Sequence, residues 1–525
     1  MNTINRKLPI GIQDFEDLRQ GGYLYVDKTE FIYKLVNSGK PYFLSRPRRF
    51  GKSLFLSTLR AYFEGKKELF SGLEITKLEE DDPEAWQVYP VFFIDFNKKN
   101  FRKDDAMEEV LASHLTDWES LYGDEFVERP LEERFQRLIE KAYKKTGQKV
   151  VVLVDEYDKP LLEAVDPERA EHNKAVFKGF FSTLKSYDRY IKFVFITGVT
   201  KFSKVSIFSD LNQLNDISLD KEYSGVCGVT EEELKTTFSP EIDALGAGEG
   251  LSRDECLDSL KRMYDGHHFS SGSEGVYNPF SLLNAFSKKS FGTYWFSTGT
   301  PTFLIEKIKQ SSFDPKRITE GELYENENVL LDYRIESDNP VPLFYQTGYL
   351  TIKDYDKEFR SYGLGYPNEE VKYGFLNSLA PYYLHDEMAE SSLDVRNFVK
   401  DIRIGNTDGL RDRFTALFAS LPYPDDEKEV ERNFQNVIYI VLMLLGQYVT
   451  TEVHSSKGRA DCIVQTTDFI YIFEFKRDKS ADEALRQIEE KGYAKPYTAD
   501  KRKLIKIGVN FNSKDRTIDG WKVRC

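Results

Sequence analysis

A Gly-Lys-Ser tripeptide, Gly51-Lys52-Ser53, ends a short loop that begins near Arg46. In such a loop the backbone N–H groups and the N-terminus of the next helix face phosphates, the lysine meets their charge, and the serine hydroxyl binds Mg²⁺. The full motif has a glycine five residues before Gly51, where this chain has Arg46. Arg46 could clamp a phosphate with two hydrogen bonds, or it could mark a degraded loop. The predicted nucleotide contacts are Arg46, Arg48, Arg49, Phe50, Gly51, Lys52, Ser53 and Leu54.

An acidic pair, Asp155-Glu156, follows an uninterrupted apolar run at 150–154. A strand that is apolar on both faces belongs in the middle of a parallel sheet, and ligands bind at the carboxyl ends of such strands. Asp155 can therefore hold the Mg²⁺ shell, and Glu156 can orient and polarise an attacking water. A third buried run, 191–196, ends at Thr197, which could sense a γ-phosphate. These residues predict a site that binds and hydrolyses ATP.

The apolar patterns around these residues predict the elements that position them. Residues 41–44 predict a strand before the loop, and residues 54–63 predict a helix after it, without proline or glycine. Residues 90–96 predict another strand, and helical patterns follow at about 104–121 and 131–145. Strands that alternate with helices define the α/β class. We therefore expect an ATPase core built on a parallel sheet.

A second group of chemically capable residues lies near the C-terminus. Glu474 and Lys476 are two positions apart in a predicted strand, so both side chains project from the same sheet face. Asp461 precedes a neighbouring strand, so Asp461 and Glu474 could share Mg²⁺ while Lys476 polarises the scissile phosphate or the attacking water. Gln487, in the following helix, would face the same site. The alternative interpretation is an exposed edge hairpin that carries a surface salt bridge.

Composition and charge restrict the class of protein. The 525 residues exceed what one core holds, so two to four domains are expected. The net charge of −14 gives no global basic field that would attract nucleic acid or anionic membrane. The four cysteines are scattered without a C-x-x-C pair, which favours a reducing cytoplasm over structural zinc. The N-terminus lacks the apolar core of a signal peptide, and the apolar run 437–445 is too short to span a bilayer. We expect a soluble, cytoplasmic protein.

The order of these motifs resembles that of a bacterial family, the AAA-ATPase-like proteins, in which a P-loop NTPase core is joined to a C-terminal PD-(D/E)XK nuclease-like domain. The resemblance extends over nearly the whole chain. The motifs that carry it are Arg46-Pro47-Arg48-Arg49-Phe50-Gly51-Lys52-Ser53, Val154-Asp155-Glu156-Tyr157-Asp158, Tyr264-Asp265-Gly266, Tyr277-Asn278-Pro279 and Thr298-Gly299-Thr300-Pro301.

The resemblance implies that Arg46 in place of glycine is the family's own form of the loop. In the restriction-endonuclease-like C-terminal domain it implies Asp461 and Glu474 as metal ligands and Lys476 as the catalytic lysine. Glu431 would be the acid from the first helix of that domain, and Gln487 a supporting polar residue. Ala460 precedes Asp461 where the superfamily's name has a proline, which is the one departure from the pattern.

The expected organisation has four parts: an ATPase core at 1–225, a helical lid at 226–300, a connecting domain at 301–420 and a nuclease-like domain at 421–525. The first hypothesis is an ATP-binding and ATP-hydrolysing protein coupled to a Mg²⁺-dependent nuclease that acts on DNA or RNA. The alternative is a nucleotide-dependent switch whose nuclease-like domain binds without cleaving. Sequence alone identifies no arginine finger, with Arg262 as a candidate, and leaves the oligomeric state open.

Overall fold

The computed structural model describes most of the chain, and the chain forms two compact units. The first comprises Met1–Thr298 and Tyr324–Glu370, and the second comprises Gly299–Leu323 and Val371–Cys525. The described residues are 6–525 without 102, 104, 124–127, 165, 203–213, 299–306, 309–310, 312, 314–316, 319–320, 322, 332–336, 384–391, 420–426, 447–449, 454–459 and 516. In this part of the chain, no helix has the length and apolar character needed to cross a membrane.

A five-stranded parallel sheet forms the centre of the first unit. Its strands are β1 (Pro41–Ser45), β2 (Val91–Asp95), β3 (Val150–Asp155), β4 (Ile191–Gly198) and β5 (Asn215–Asp216). They lie in the order β2-β3-β4-β1-β5, so β4 separates β1 from β3. Every residue of β3 is buried, as expected for a central strand whose two faces are both covered.

The helices of the first unit cover this sheet and extend it. The helix Lys52–Phe63 follows β1, and its buried face packs under the sheet with Phe55, Leu56 and Leu59. The helical bounds are Phe15–Gln20, Thr29–Ser38, Lys52–Phe63, Glu74–Leu78, Ala106–Tyr122, Leu131–Thr146, Lys159–Leu162, Pro167–Ser186, Glu231–Thr237, Ser239–Glu249, Arg253–Tyr264, Pro279–Lys288, Glu327–Leu330 and Val341–Gln346.

A separate apolar cluster holds the helices between 231 and 288 together. Leu234, Ile242, Leu260 and Leu282 are among its fully buried members. Thr230 begins this region with a capping box, in which its side chain accepts from the Glu233 N–H and the Glu233 carboxylate accepts from the Thr230 N–H. The first unit also contains a small antiparallel sheet of β6 (Tyr324–Asn326), β7 (Thr351–Asp356) and β8 (Ser361–Gly365), in the order β6-β8-β7.

The second unit is built on its own five-stranded sheet. Its strands are β9 (Thr450–Val453), β10 (Cys462–Gln465), β11 (Phe469–Arg477), β12 (Lys503–Asn512) and β13 (Thr517–Arg524), in the order β13-β12-β11-β10-β9. Only the β11–β12 pair is parallel among these described strands, and the helix Ala481–Glu490 makes the crossover between them. The other helices are Ser392–Ile404, Thr407–Ala419 and Glu427–Leu445, while Glu369–Tyr383 begins in the first unit and continues into the second.

The observed fold confirms the predicted α/β class. The strand predicted at 41–44 is β1, and the helices predicted at 104–121 and 131–145 are Ala106–Tyr122 and Leu131–Thr146.

Candidate functional site

The loop between β1 and the helix Lys52–Phe63 is shaped by two residues with left-handed backbone. Gly51 has φ 99° and ψ 14° and is the N-cap of the helix, and Arg49 has φ 69°. A glycine adopts this region without the steric cost that a side chain brings, which explains the glycine directly before Lys52. The first N–H groups of the helix have no intrahelical partners and are available to an anion.

The Lys52 side chain is hydrogen-bonded to the loop that precedes it. Its ammonium donates to the Arg46 carbonyl at 2.9 Å and to the Pro47 carbonyl at 3.1 Å, and the residue is 4% exposed. These carbonyls hold the Lys52 ammonium beside the N-terminus of the helix. A phosphate oxygen could replace one of them as acceptor or bind in addition. The loop thus contains a fixed cation whose hydrogen bonds go to backbone carbonyl oxygens.

The structure corrects the phosphate-clamping role predicted for Arg46. Its guanidinium donates to the carbonyls of Ser45, Ser218 and Tyr223 at 2.8–3.0 Å and lies 4.1 Å from the ring centroid of Phe269. The residue is 1% exposed, and burial lowers its pKa. Arg46 thus ties the base of the loop to the segment after β5, because both of its Nη atoms donate to backbone oxygens. Its buried Nε has no hydrogen-bond partner among the described residues.

The carboxyl ends of β3 and β4 bring Asp155 and Thr197 together. The Thr197 hydroxyl donates to Asp155 Oδ1 at 2.7 Å, and both residues are buried. Because β4 lies between β1 and β3, Thr197 lies between the loop after β1 and Asp155 at the end of β3. The hydrogen bond orients the Asp155 carboxylate at the carboxyl end of the sheet.

Glu156 makes the turn after β3 in an unusual backbone conformation. Its φ is 50°, in the left-handed region that non-glycine residues seldom adopt. Burial raises the pKa of the Glu156 carboxyl, and the Lys52 charge opposes that rise. A carboxylate that holds its proton more tightly than usual is closer to the properties of a general base that works near neutral pH.

The loop after β1 and the turn after β3 both line a cavity of about 460 Å³ within the first unit. Glu156 and Tyr25 line it, as do apolar side chains such as Leu24, Val229 and Leu282, so its lining combines charged and apolar groups. Among the described residues, Arg46, Asp155 and Thr197 do not line it. From the loop and the start of the next helix, the lining residues are Arg48, Arg49, Phe50, Gly51, Lys52, Ser53 and Leu54.

Asp158 is a site residue whose role the sequence pattern did not predict. It is 1% exposed, and its Oδ2 accepts hydrogen bonds from the N–H of Val199 and from both the N–H and the hydroxyl of Thr200. Asp158 thereby fastens the turn after β3 to the segment that follows β4. An Asp two residues beyond an acidic pair was a possible signal, but its partners lie more than forty positions away.

Trp295 and Glu370 support the loop from the other side, and sequence reasoning missed both. The Trp295 indole N–H donates to the Arg48 carbonyl at 2.9 Å. The buried Glu370 carboxylate accepts from the Trp295 backbone N–H and from the Ser281 hydroxyl, each at 2.7 Å. Burial raises the pKa of Glu370 to about 7.

Replacing Glu370 with glutamine is expected to remove a pH dependence of stability. Because the pKa is about 7 in the folded state against an ordinary 4.5, the folded state binds more protons between these values and loses stability as pH rises through them. The loss between pH 5 and pH 8 is on the order of 2–3 kcal/mol. Denaturant unfolding of the full-length protein at both pH values measures it. An unchanged pH slope in Glu370→Gln would assign the dependence to another group.

The second unit positions its predicted residues on β11 and the helix Ala481–Glu490. Glu474 is 1% exposed, and its Oε1 accepts from the Lys476 ammonium at 2.8 Å and from the Gln487 amide. Its Oε2 is buried without a hydrogen-bond partner of good geometry among the described residues. Burial raises the pKa of Glu474, and the Lys476 ammonium opposes that effect.

Asp461 stands directly before β10, next to Glu474 on the neighbouring strand. Cys462 pairs with Phe473 in the antiparallel ladder, so Asp461 comes opposite Glu474. Its Oδ2 accepts from the Phe475 N–H at 2.8 Å. Glu431 lies in the helix Glu427–Leu445, but its side chain is outside the described part of the structure. The structure therefore brings together Asp461, Glu474, Lys476 and Gln487.

Two models of known protein families match different parts of the chain. The model of the predicted AAA-ATPase family matches residues 9–208, and that of the PD-(D/E)XK nuclease superfamily matches residues 429–521. A relative from Azotobacter chroococcum mcd 1, named "Uncharacterized protein in vnfD 5'region", is 38% identical over 531 residues and covers 99% of both chains.

Two solved structures from Aeropyrum pernix are also similar to this chain. The ORC2 protein, in ADPNP-ADP complexes, has a TM-score of 0.26 and 11% identity over 74% of this chain and 97% of its own. The ORC1 protein, in complex with DNA, has a TM-score of 0.24 and 8% identity over 67% and 91%. TM-scores this low do not establish a shared overall fold. By its motifs and its full-length relative, the chain belongs to the bacterial AAA-ATPase-like family whose members carry a C-terminal PD-(D/E)XK nuclease-superfamily domain.

Proposed function

We propose that this protein binds and hydrolyses ATP in its first unit and that nucleotide binding controls a Mg²⁺-dependent nuclease in its second unit. DNA or RNA is the proposed substrate of the nuclease. The proposed parts are an ATPase core at 1–225, a helical lid at 226–300, a connecting domain at 301–420 and a nuclease-like domain at 421–525. We also propose a cytoplasmic location, which the free thiols of all four cysteines support.

The observation that carries the ATPase proposal is the cavity that Lys52, Ser53 and Glu156 line together. The loop offers backbone N–H groups and a lysine to phosphates, while the turn after β3 offers a carboxylate to a water molecule. The aromatic and apolar residues of the cavity lining, such as Tyr25 and Val229, suit the base of a nucleotide. ATP fits this combination of charge and shape.

We also propose a Mg²⁺ ion in each unit. In the first, the Ser53 hydroxyl and the Asp155 carboxylate would hold it, since hard oxygen ligands suit this ion. In the second, Asp461 and Glu474 would hold it. There the structure supports the fit, because Glu474 Oε2 is buried without a hydrogen-bond partner among the described residues and would gain one. Bound Mg²⁺ supplies charge neutralisation to a phosphate.

In the nuclease proposal each protein residue has a defined task. Lys476 is held 2.8 Å from Glu474 and can orient the attacking water or meet the charge on the phosphate. Gln487 holds the Glu474 carboxylate in place from the helix. Glu431 is proposed as a further acid from its helix.

The rate of ATP hydrolysis is expected to fall on the acid side of its pH profile, and Glu156 is expected to shift this fall toward neutral pH. Because burial raises its pKa, the carboxylate gains a proton at a higher pH than an ordinary glutamate, and the rate falls there. Glu156→Gln is expected to lower kcat roughly 10²–10³-fold and to abolish this fall while ATP still binds. The exposed Glu171→Gln is the matched control. An unaltered kcat in Glu156→Gln would remove it from the mechanism.

The deciding experiment combines ATP hydrolysis with cleavage of labelled single- and double-stranded DNA and RNA. Reactions contain Mg²⁺ or Mn²⁺, with and without ATP, at several salt concentrations. Cleavage that changes with ATP, on a substrate whose affinity falls with salt, supports the proposal. Saturable ATP binding without hydrolysis or cleavage would favour the alternative, a nucleotide-dependent switch that binds without cutting.

A further inference from the structure

Lys159 is a cation in the nucleotide cavity to which the family motifs give no role. It lines the cavity together with Glu156 and Asn97 and begins the short helix Lys159–Leu162. Its N–H donates to the Glu156 carbonyl at 3.1 Å, so the two residues belong to one turn. The loop residues and Lys159 therefore approach the same cavity from the ends of two different strands, β1 and β3.

The ammonium of Lys159 makes only long hydrogen bonds to the protein. It donates to the side-chain oxygen of Asn97 at 3.3 Å and to the Asn97 carbonyl at 3.4 Å, both longer than a typical N–H···O hydrogen bond. It forms no ion pair among the described residues. By contrast, Lys28 lines the same cavity but is paired with Glu233 at 2.6 Å.

The backbone that carries Lys159 is held firmly. The neighbouring Asp158 carboxylate accepts three hydrogen bonds from Val199 and Thr200 and anchors the turn at the end of β4. Pro160 restricts the backbone at the start of the helix. A weakly bound cation on a fixed backbone loses little when it moves to a new anionic partner.

We propose that Lys159 contacts the γ-phosphate and stabilises the negative charge that builds up on it during ATP hydrolysis. This inference rests on the ATPase function proposed above. The ends of β1 and β3 are two strand spacings apart, about 10 Å, which leaves room for a phosphate between Lys52 and Lys159. The site would then contain within one chain the cation that many ATPases receive as an arginine finger.

In the proposed step the oxygen of water forms a bond to the γ-phosphorus, while the bond from that phosphorus to the β–γ bridging oxygen breaks. The bridging oxygen leaves on ADP with the electron pair. Glu156 accepts a proton from the water and releases it to solvent, and inorganic phosphate forms. Lys159 transfers no proton in this step, and its ammonium contacts the negatively charged γ-phosphate oxygens.

The test compares full-length wild type with Lys159→Met, Lys159→Gln and Lys159→Arg. The measurements are kcat and KM for ATP and the Kd of a non-hydrolysable ATP analogue. We expect kcat to fall about 10²-fold or more in the Met and Gln variants, Kd to change less than about threefold, and the Arg variant to stay within about tenfold of wild type. Lys144→Met, 70% exposed on another helix, is the matched control.

Each result has a distinct meaning. Wild-type kcat in Lys159→Met or Lys159→Gln, or loss of analogue binding as large as the loss of kcat, overturns the role of Lys159. A rate per chain that rises with protein concentration and does not depend on Lys159 would assign the cation to a second chain. If wild type itself hydrolyses no ATP, the proposed function fails instead. Should the Met variant not fold, the Gln and Arg variants give the same comparison.

Discussion

Replacing Glu474 with alanine is expected to abolish Mg²⁺-dependent cleavage of nucleic acid and to leave ATP binding intact. The substitution removes a proposed metal ligand together with the acceptor that holds Lys476 and Gln487. Loss of this arrangement removes several kcal/mol of transition-state stabilisation, which corresponds to a roughly 10³-fold slower reaction. Single-turnover cleavage of a labelled substrate, beside an ATP-binding titration, measures both parts of the prediction.

The control for this substitution is Asp482→Ala in the helix Ala481–Glu490. Asp482 is exposed and pairs with Lys522, so its loss is expected to leave cleavage unchanged. Because Glu474→Ala leaves the Lys476 ammonium without its acceptor, both variants are compared with wild type by thermal unfolding. Cleavage that persists in Glu474→Ala would mean that the site is elsewhere or that another nuclease contaminates the preparation.

Lys52→Ala is expected to abolish ATP hydrolysis and to weaken ATP binding roughly 10- to 10²-fold, because a charge-assisted hydrogen bond to phosphate contributes about 1.5–3 kcal/mol. The substitution also leaves the carbonyls of Arg46 and Pro47 without their buried donor. Isothermal titration with ATP and a phosphate-release assay test the two effects. Lys52→Arg is not expected to restore activity, since a guanidinium is larger than the ammonium that fits between these carbonyls.

Arg60→Ala is the matched control for Lys52→Ala. Arg60 lies on the same helix, is exposed and pairs with Glu64 one turn later. Both variants are compared with wild type by thermal unfolding, because unsatisfied carbonyls in the loop can cost about 1–3 kcal/mol. ATP hydrolysis that survives in folded Lys52→Ala would show that the loop does not bind the phosphates.

The core of each unit could be predicted because short-range patterns determine it. The continuous apolar run at 150–154 became a fully buried strand, and the alternation around Glu474 and Lys476 brought their charged groups to within 2.8 Å. Both results follow from the two-residue period of a strand and from the way a parallel sheet buries its central members.

Long-range contacts explain what the sequence could not predict. The guanidinium of Arg46 finds its acceptors 172 and 177 positions later, at Ser218 and Tyr223, so its direction is decided by tertiary structure. Trp295 reaches the Arg48 carbonyl across 247 positions. No local pattern marks such residues, because a tryptophan in a loop and an arginine after a strand are compatible with many environments.

The division of the chain has a consequence for any attempt to study the nuclease-like part alone. The chain passes from one unit to the other at residues 298, 323 and 370, so a single cut does not separate them. Phe414 and Phe418, on the helix Thr407–Ala419, pack against Trp521 and Phe511 of the C-terminal sheet with tilted rings. A fragment that starts at 421 would expose that aromatic layer to water, and such an uncovered apolar face promotes aggregation. The smallest independent fragment must therefore retain the helices that precede the nuclease motifs.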